Sequence, residues 1–307
     1  MKGKDLLSIA DLTGADIKAL ISGAVSSKSK AWNPLLERKI IAILFEKPSL
    51  RTRISFEVAV RQLGGEAIYL SPAEVGLGKR ESVPDVARVM GRYADAIVAR
   101  TFAHRTLELM AEYSGVPVVN ALSDYEHPCQ ALADLTTVYE KKGKLDGLTL
   151  AYIGDGNNVA NSLMLACALC GMNFRIASPP GYAVQEKVLE TARRYAGTSG
   201  GSVFCTTEPE EAVKGADVVY TDVWTSMGQE SESEERNRIF SGYQVNSRLL
   251  SLAEKDAIFM HDLPAHRGEE VTDDVMDGPQ SVVFDQAENR LHAQRALLAK
   301  MLGIPRN

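Results

Sequence analysis

At 307 residues the chain is long enough to divide between two cores. A hydrophobic fraction of 45% and a charged fraction of 24% exclude a disordered or fibrous chain. A net charge of -6 argues against a nucleic-acid partner, which is gripped by a basic face, and no apolar run is long enough to span a bilayer. Cys129, Cys167, Cys170 and Cys205 lack the spacing of a disulfide framework, and the N-terminus opens into a capped amphipathic helix instead of a secretory signal. A reduced, cytoplasmic setting is expected.

Along the chain, β-rich runs at 40–45, 67–70, 96–99 and 116–120 alternate with helical patterns at 53–63, 84–93 and 106–113. A long helix then leads to a charged, glycine-containing break at 141–147. Beyond it lie strand runs at 149–154, 173–177, 203–206, 218–221 and 257–261, then a helix over 285–302 with Asp285 near its N-cap. This alternation predicts an α/β protein of two doubly wound parallel-sheet domains. The first is expected over 1–143 and the second over 144–284. Cys167-Ala168-Leu169-Cys170 sits in an apolar run ended by Gly171, which reads as a buried helix and not as a redox or metal motif.

In such folds ligands bind where strands end and helices begin. After the first strand comes Ser49-Leu50-Arg51-Thr52-Arg53, where a helix start, two hydroxyls and a guanidinium would cradle a phosphate. Arg100 ends an otherwise apolar strand. His127 and Gln130 stand three apart around another helix start, so both can face one site, the imidazole on a carbonyl oxygen and the amide on an NH2 group. In the second half, Asp222 and Asp262 each follow a strand, a placement that suits a cationic ligand. The turn Gly154-Asp155-Gly156-Asn157-Asn158-Val159 falls short of the dinucleotide pattern. Val159 replaces its third glycine, and Ala177 and Ser178 stand where an acidic ribose partner is expected.

Taken in order, these segments resemble the aspartate/ornithine carbamoyltransferase superfamily, and within it the ornithine-specific branch, over nearly the whole chain. Ser49-Leu50-Arg51-Thr52-Arg53 is similar to the family's Ser-Thr-Arg-Thr-Arg box, and His127-Pro128-Cys129-Gln130 to its His-Pro-x-Gln motif. Ser226-Met227-Gly228 is similar to the acceptor loop of ornithine enzymes, and His261-Asp262-Leu263-Pro264 to a His-Cys-Leu-Pro segment. The resemblance implies that Ser49, Leu50, Arg51, Thr52, Arg100, His127, Gln130 and Arg290 bind carbamoyl phosphate, with Arg51, Thr52, Arg100 and His127 catalytic. It assigns Asn158, Asp222, Ser226, Met227, Asp262 and Leu263 to L-ornithine.

It further implies a central cleft between the domains, a C-terminal helix 285–307 packed back on the first, and assembly as a homotrimer or a multiple of trimers. No metal and no organic cofactor is required. Leu50 departs from the family's threonine but leaves its backbone N–H in place. Asp262 replaces the family's cysteine and adds a carboxylate beside Asp222. Putrescine is the alternative acceptor, a noncatalytic ligand-binding protein the alternative class.

Overall fold

In the computed structural model, which describes residues 1–29, 34–77, 80–226 and 228–303, the chain forms two compact units. One is Met1–Thr136 with the chain from Glu288 onward; the other is Thr137–Ala287.

The first unit is built on four parallel strands, β1 (Ile40–Phe45), β2 (Glu66–Leu70), β3 (Ala96–Arg100) and β4 (Val118–Leu122), in the order β2-β1-β3-β4. The interior strand β1 reads Ile-Ile-Ala-Ile-Leu-Phe because a parallel strand covered on both faces must be apolar throughout. The edge strand β2 alternates in exposure instead. Helices Val83–Tyr93 and His104–Ser114 pack so closely that a Cβ on Gly91 would lie 1.7 Å from the Ser114 carbonyl oxygen, so only glycine fits there.

The second unit carries five parallel strands, β5 (Thr149–Ile153), β6 (Asn173–Ala177), β7 (Ser202–Thr206), β8 (Val218–Thr221) and β9 (Ile258–His261), in the order β7-β6-β5-β8-β9. Its helix Asn158–Leu169 is buried from Val159 to Ala168, which is why it is apolar all round. Cys167 and Cys170 are buried there and form no disulfide, and Gly171 follows at φ +76°.

Both sheets reverse their winding once, between β1 and β3 and between β5 and β8. In doubly wound sheets such a reversal opens a crevice at the carboxyl ends of the two strands. Many boundaries shift by one to three residues from those read in the sequence, and two of the shifts have a plain cause. Strand β4 begins at Val118, two residues late, because Pro117 has no N–H to give the ladder. The last helix, Val283–Leu302, starts before Asp285, whose carboxylate sits in its first turn and complements the dipole there. Among the described residues no helix is long and apolar enough to cross a membrane.

Candidate active site

The winding reversal of the first unit is where its polar groups gather. Ser49 follows β1 in extended conformation and caps helix Leu50–Gln62; its hydroxyl accepts from Thr52 N at 3.4 Å and donates to Thr52 Oγ1 at 3.0 Å. First-turn N–H groups have no partner within their helix, so those of Leu50 and Arg51 suit an anion. The Leu50 side chain is 72% exposed, so only its backbone can serve.

Thr52 Oγ1 is buried and also accepts from Arg290 Nη2 and, at 3.5 Å, from Arg100 Nη1, the weakest of the three contacts. Arg290 Nη1 donates in turn to Gln130 Oε1, and Gln130 Nε2 donates to the buried carboxylate of Asp134 at 2.8 Å. Gln130 therefore already serves Arg290, and its oxygen keeps one lone pair for a ligand NH2. The half-buried Arg51 has no hydrogen-bond or ion-pair partner among the described residues. Arg53 is engaged elsewhere, paired with Glu57 at 2.8 Å and stacked over the Tyr69 ring.

His127 precedes helix Pro128–Lys142 and is 2% exposed. Burial, and then the charges of Arg290 and Arg100, hold its imidazole well below the usual histidine range. It is thus a neutral hydrogen-bonding group, suited to polarising a carbonyl without carrying a charge. Burial pushes the neighbouring Cys129 thiol up to about 12, far from a reactive thiolate.

The second unit's reversal carries carboxylates and amides. Asn157 caps helix Asn158–Leu169, its Oδ1 accepting from Val159 N at 2.9 Å and Ala160 N at 3.1 Å. Its Nδ2 reaches across from the β5 turn to the β8 turn and donates to Asp222 Oδ2 at 2.8 Å. Asp222 Oδ1 accepts from Val223 N at 2.7 Å, so the buried carboxylate is fixed from both sides. Asn158 accepts locally from Val159 N at 3.1 Å. Ser226 N donates to Gln229 Oε1 at 3.1 Å, while Met227 lies outside the described residues.

Gly156 explains the broken glycine pattern. A Cβ there would lie 2.3 Å from Val184 N, and Gly156 N donates to Tyr182 O at 2.8 Å. The close approach that a dinucleotide's pyrophosphate would need is taken by the chain itself.

At the end of β9, His261 accepts from Leu263 N through Nδ1 and donates to buried Glu270 through Nε2, both at 3.0 Å. Leu263, at φ +60°, is a left-handed non-glycine residue, a conformation held only where its surroundings demand it. Asp222, His261 and Asp262 bring ligand-capable atoms within 4.8 Å of one another. Both nitrogens of His261 are engaged, however, so the trio lacks the donor a metal would need. Burial, and then Asp222, Asp262 and Asp155, push the Tyr152 phenol well above its ordinary range. The Asp222 and Asp262 carboxylates at these strand ends suit a cation.

The structure gathers Ser49, Thr52, Arg100, His127, Gln130 and Arg290 in the first unit, and Asn158, Asp222, Asp262 and Leu263 at strand ends of the second. The sequence reading passed over Asn157, Asp134 and Asp155. Asn157 was legible as a helix cap; nothing local marked the other two.

A sequence profile described as the aspartate/ornithine carbamoyltransferase carbamoyl-P binding domain matches residues 4–140, and the Asp/Orn binding domain of the same family matches 146–301. The ornithine carbamoyltransferase of Thermococcus kodakarensis is 52% identical over 309 residues, covering 99% of this chain and 98% of the relative. That of Bacillus subtilis is 54% identical, covering 98% and 94%. The solved ornithine carbamoyltransferase of Pyrococcus furiosus superposes with a TM-score of 0.95 at 52% identity, covering 98% of this chain and 97% of that one. With donor-type groups in one unit, carboxylates in the other and both family domains matched in order, the chain belongs to the aspartate/ornithine carbamoyltransferase family.

Proposed function

We propose that this chain is a transferase that moves the carbamoyl group of carbamoyl phosphate to the δ-amine of L-ornithine, giving L-citrulline and phosphate. The observation that carries the donor half is the convergence of Ser49, Arg100 and Arg290 on the Thr52 hydroxyl at a helix start. In this reading the first unit holds carbamoyl phosphate and the second holds ornithine.

The phosphate lies on the N–H groups of Leu50 and Arg51, with the Ser49 hydroxyl and the Arg51 guanidinium completing its charge balance. Thr52, Arg100 and His127 surround the carbonyl oxygen, and Gln130 accepts from the carbamoyl NH2. Asp222, assisted by Asp262, takes the α-ammonium of ornithine; Asn158, Ser226, Met227 and Leu263 line the rest.

The neutral δ-amine attacks the carbonyl carbon. A C–N bond forms, negative charge grows on the oxygen, and preset donors stabilise it. The C–O bond to phosphate then breaks, and the leaving phosphate takes the proton released by nitrogen. Because a free alkylammonium has a pKa of about 10, turnover rises with pH until the bound amine is deprotonated.

A cytoplasmic homotrimer, or a multiple of trimers, belongs to the same reading; sedimentation would contradict it by returning a lone chain. The test of the reaction is the joint appearance of citrulline and inorganic phosphate in equal amounts from the two substrates. Phosphate release without citrulline would contradict the assignment of the acceptor.

A further inference from the structure

Arg236 belongs to helix Ser233–Phe240, whose composition otherwise suits solvent, yet its side chain is only 4% exposed. Its guanidinium reaches three separate segments. Nε donates to the Trp224 carbonyl at 2.6 Å, in the loop after β8. Nη2 pairs with Asp155 in the turn after β5. The plane also lies over the Tyr182 ring, 4.9 Å from its centroid, beyond β6. Phe240, one turn on, stacks on the Trp224 ring at 6.1 Å and meets Tyr182 at 4.8 Å.

Two of these segments carry the groups assigned above to the acceptor. The β8 loop holds Asp222 and Ser226; the β5 turn holds Asn158. One tie between them is at Asp222, from Asn157. Arg236 adds another, two residues further along, and its planar fork suits donation in two directions at once. We infer that Arg236 is a positioning residue for the acceptor: by joining Asp155 to the Trp224 carbonyl it fixes the Asp222–Ser226 loop against the Asn158 turn. Affinity for the acceptor then depends on a side chain that need not touch it. This rests on the acceptor assignment made above.

Arg236→Lys tests it, because lysine keeps the charge opposite Asp155 but loses the fork. The KM for ornithine is expected to rise about tenfold or more, since small misplacements of binding groups cost that much. The KM for carbamoyl phosphate stays within about twofold, its groups lying in the other unit. Amide exchange over 223–226 should quicken while the β5–β9 amides keep their protection. Asp155→Asn, which removes the same ion pair from its other end, should give the same split to a smaller degree and serves if the lysine variant does not fold. Unchanged exchange in the loop, or both KM values rising together, overturns the inference. If the parent fails to carbamoylate ornithine, the functional reading falls, and loop exchange alone still decides whether Arg236 fastens the loop.

Discussion

Arg51 and His127 make different kinds of contribution, and each leads to its own test. Arg51 has no hydrogen-bond or ion-pair partner among the described residues. Replacing it with alanine should leave the melting temperature near that of the parent and cut kcat by about 100- to 1,000-fold, the usual cost of one preset donor. A large fall in stability with activity retained would make it a structural arginine instead. His127 is held neutral when folded, well below its ordinary 6.5. Below that value the unfolded chain takes up a proton that the folded chain refuses, so stability falls as pH drops below about 6.5. Denaturant titrations between about pH 6.5 and 5 should lose up to about 1.4 kcal/mol per pH unit less in His127→Gln than in the parent. Equal slopes would mean that His127 is charged in the folded state.

At the scale of elements, the β5 turn of the second unit depends on one asparagine and one glycine. Asn157 both caps its helix and orients Asp222. Aspartate caps as well as asparagine, so Asn157→Asp should keep most of the stability while setting a like charge against Asp222. The expected result is a raised KM for ornithine with a melting temperature close to the parent's. Asn157→Ala, by contrast, should also lose about 1 kcal/mol of cap. Gly156→Ala should cost about 1–3 kcal/mol through overpacking, because the neighbouring atoms are backbone and cannot swing aside. A fully stable Gly156→Ala variant would refute the close approach of the 182–184 segment.

These elements were legible in the sequence to different degrees. The strands were, because fully covered parallel strands must be unbroken apolar runs, as in 40–45 and 149–153. Phosphate-side groups were legible too, since Ser49, Arg51 and Thr52 lie within one turn. Gln130's engagement with Arg290 was not, because 160 residues separate them. Nor were the Asn157–Asp222 and Arg236–Asp155 ties, which span 65 and 81 residues. Arg236 has polar neighbours, and its burial arises only when helix Ser233–Phe240 settles over Trp224.

For the molecule as a whole, the first unit is completed by the far end of the chain. Leu297, Leu298 and Met301 are buried, Arg295 donates to Gln62 at 2.6 Å and to the Ser27 carbonyl at 2.6 Å, and Arg290 supplies the Thr52 contact. A chain ending at Ala287 should therefore lose carbamoyl phosphate binding along with cooperative unfolding of that unit. Binding at the parent's affinity would show that the donor groups do not need Arg290. The carboxylates of the second unit set the other half of the account, a preference for a cationic amino acid. Asp222 and Asp262 suit an α-ammonium, which putrescine supplies only as a second, unbranched amine and aspartate supplies burdened with an extra negative charge. The most direct measurement compares kcat/KM for L-ornithine, putrescine and L-aspartate at saturating carbamoyl phosphate. The account predicts citrulline formation at a rate far above carbamoylation of either competitor; a preference for putrescine or aspartate, or no turnover of ornithine, would contradict it.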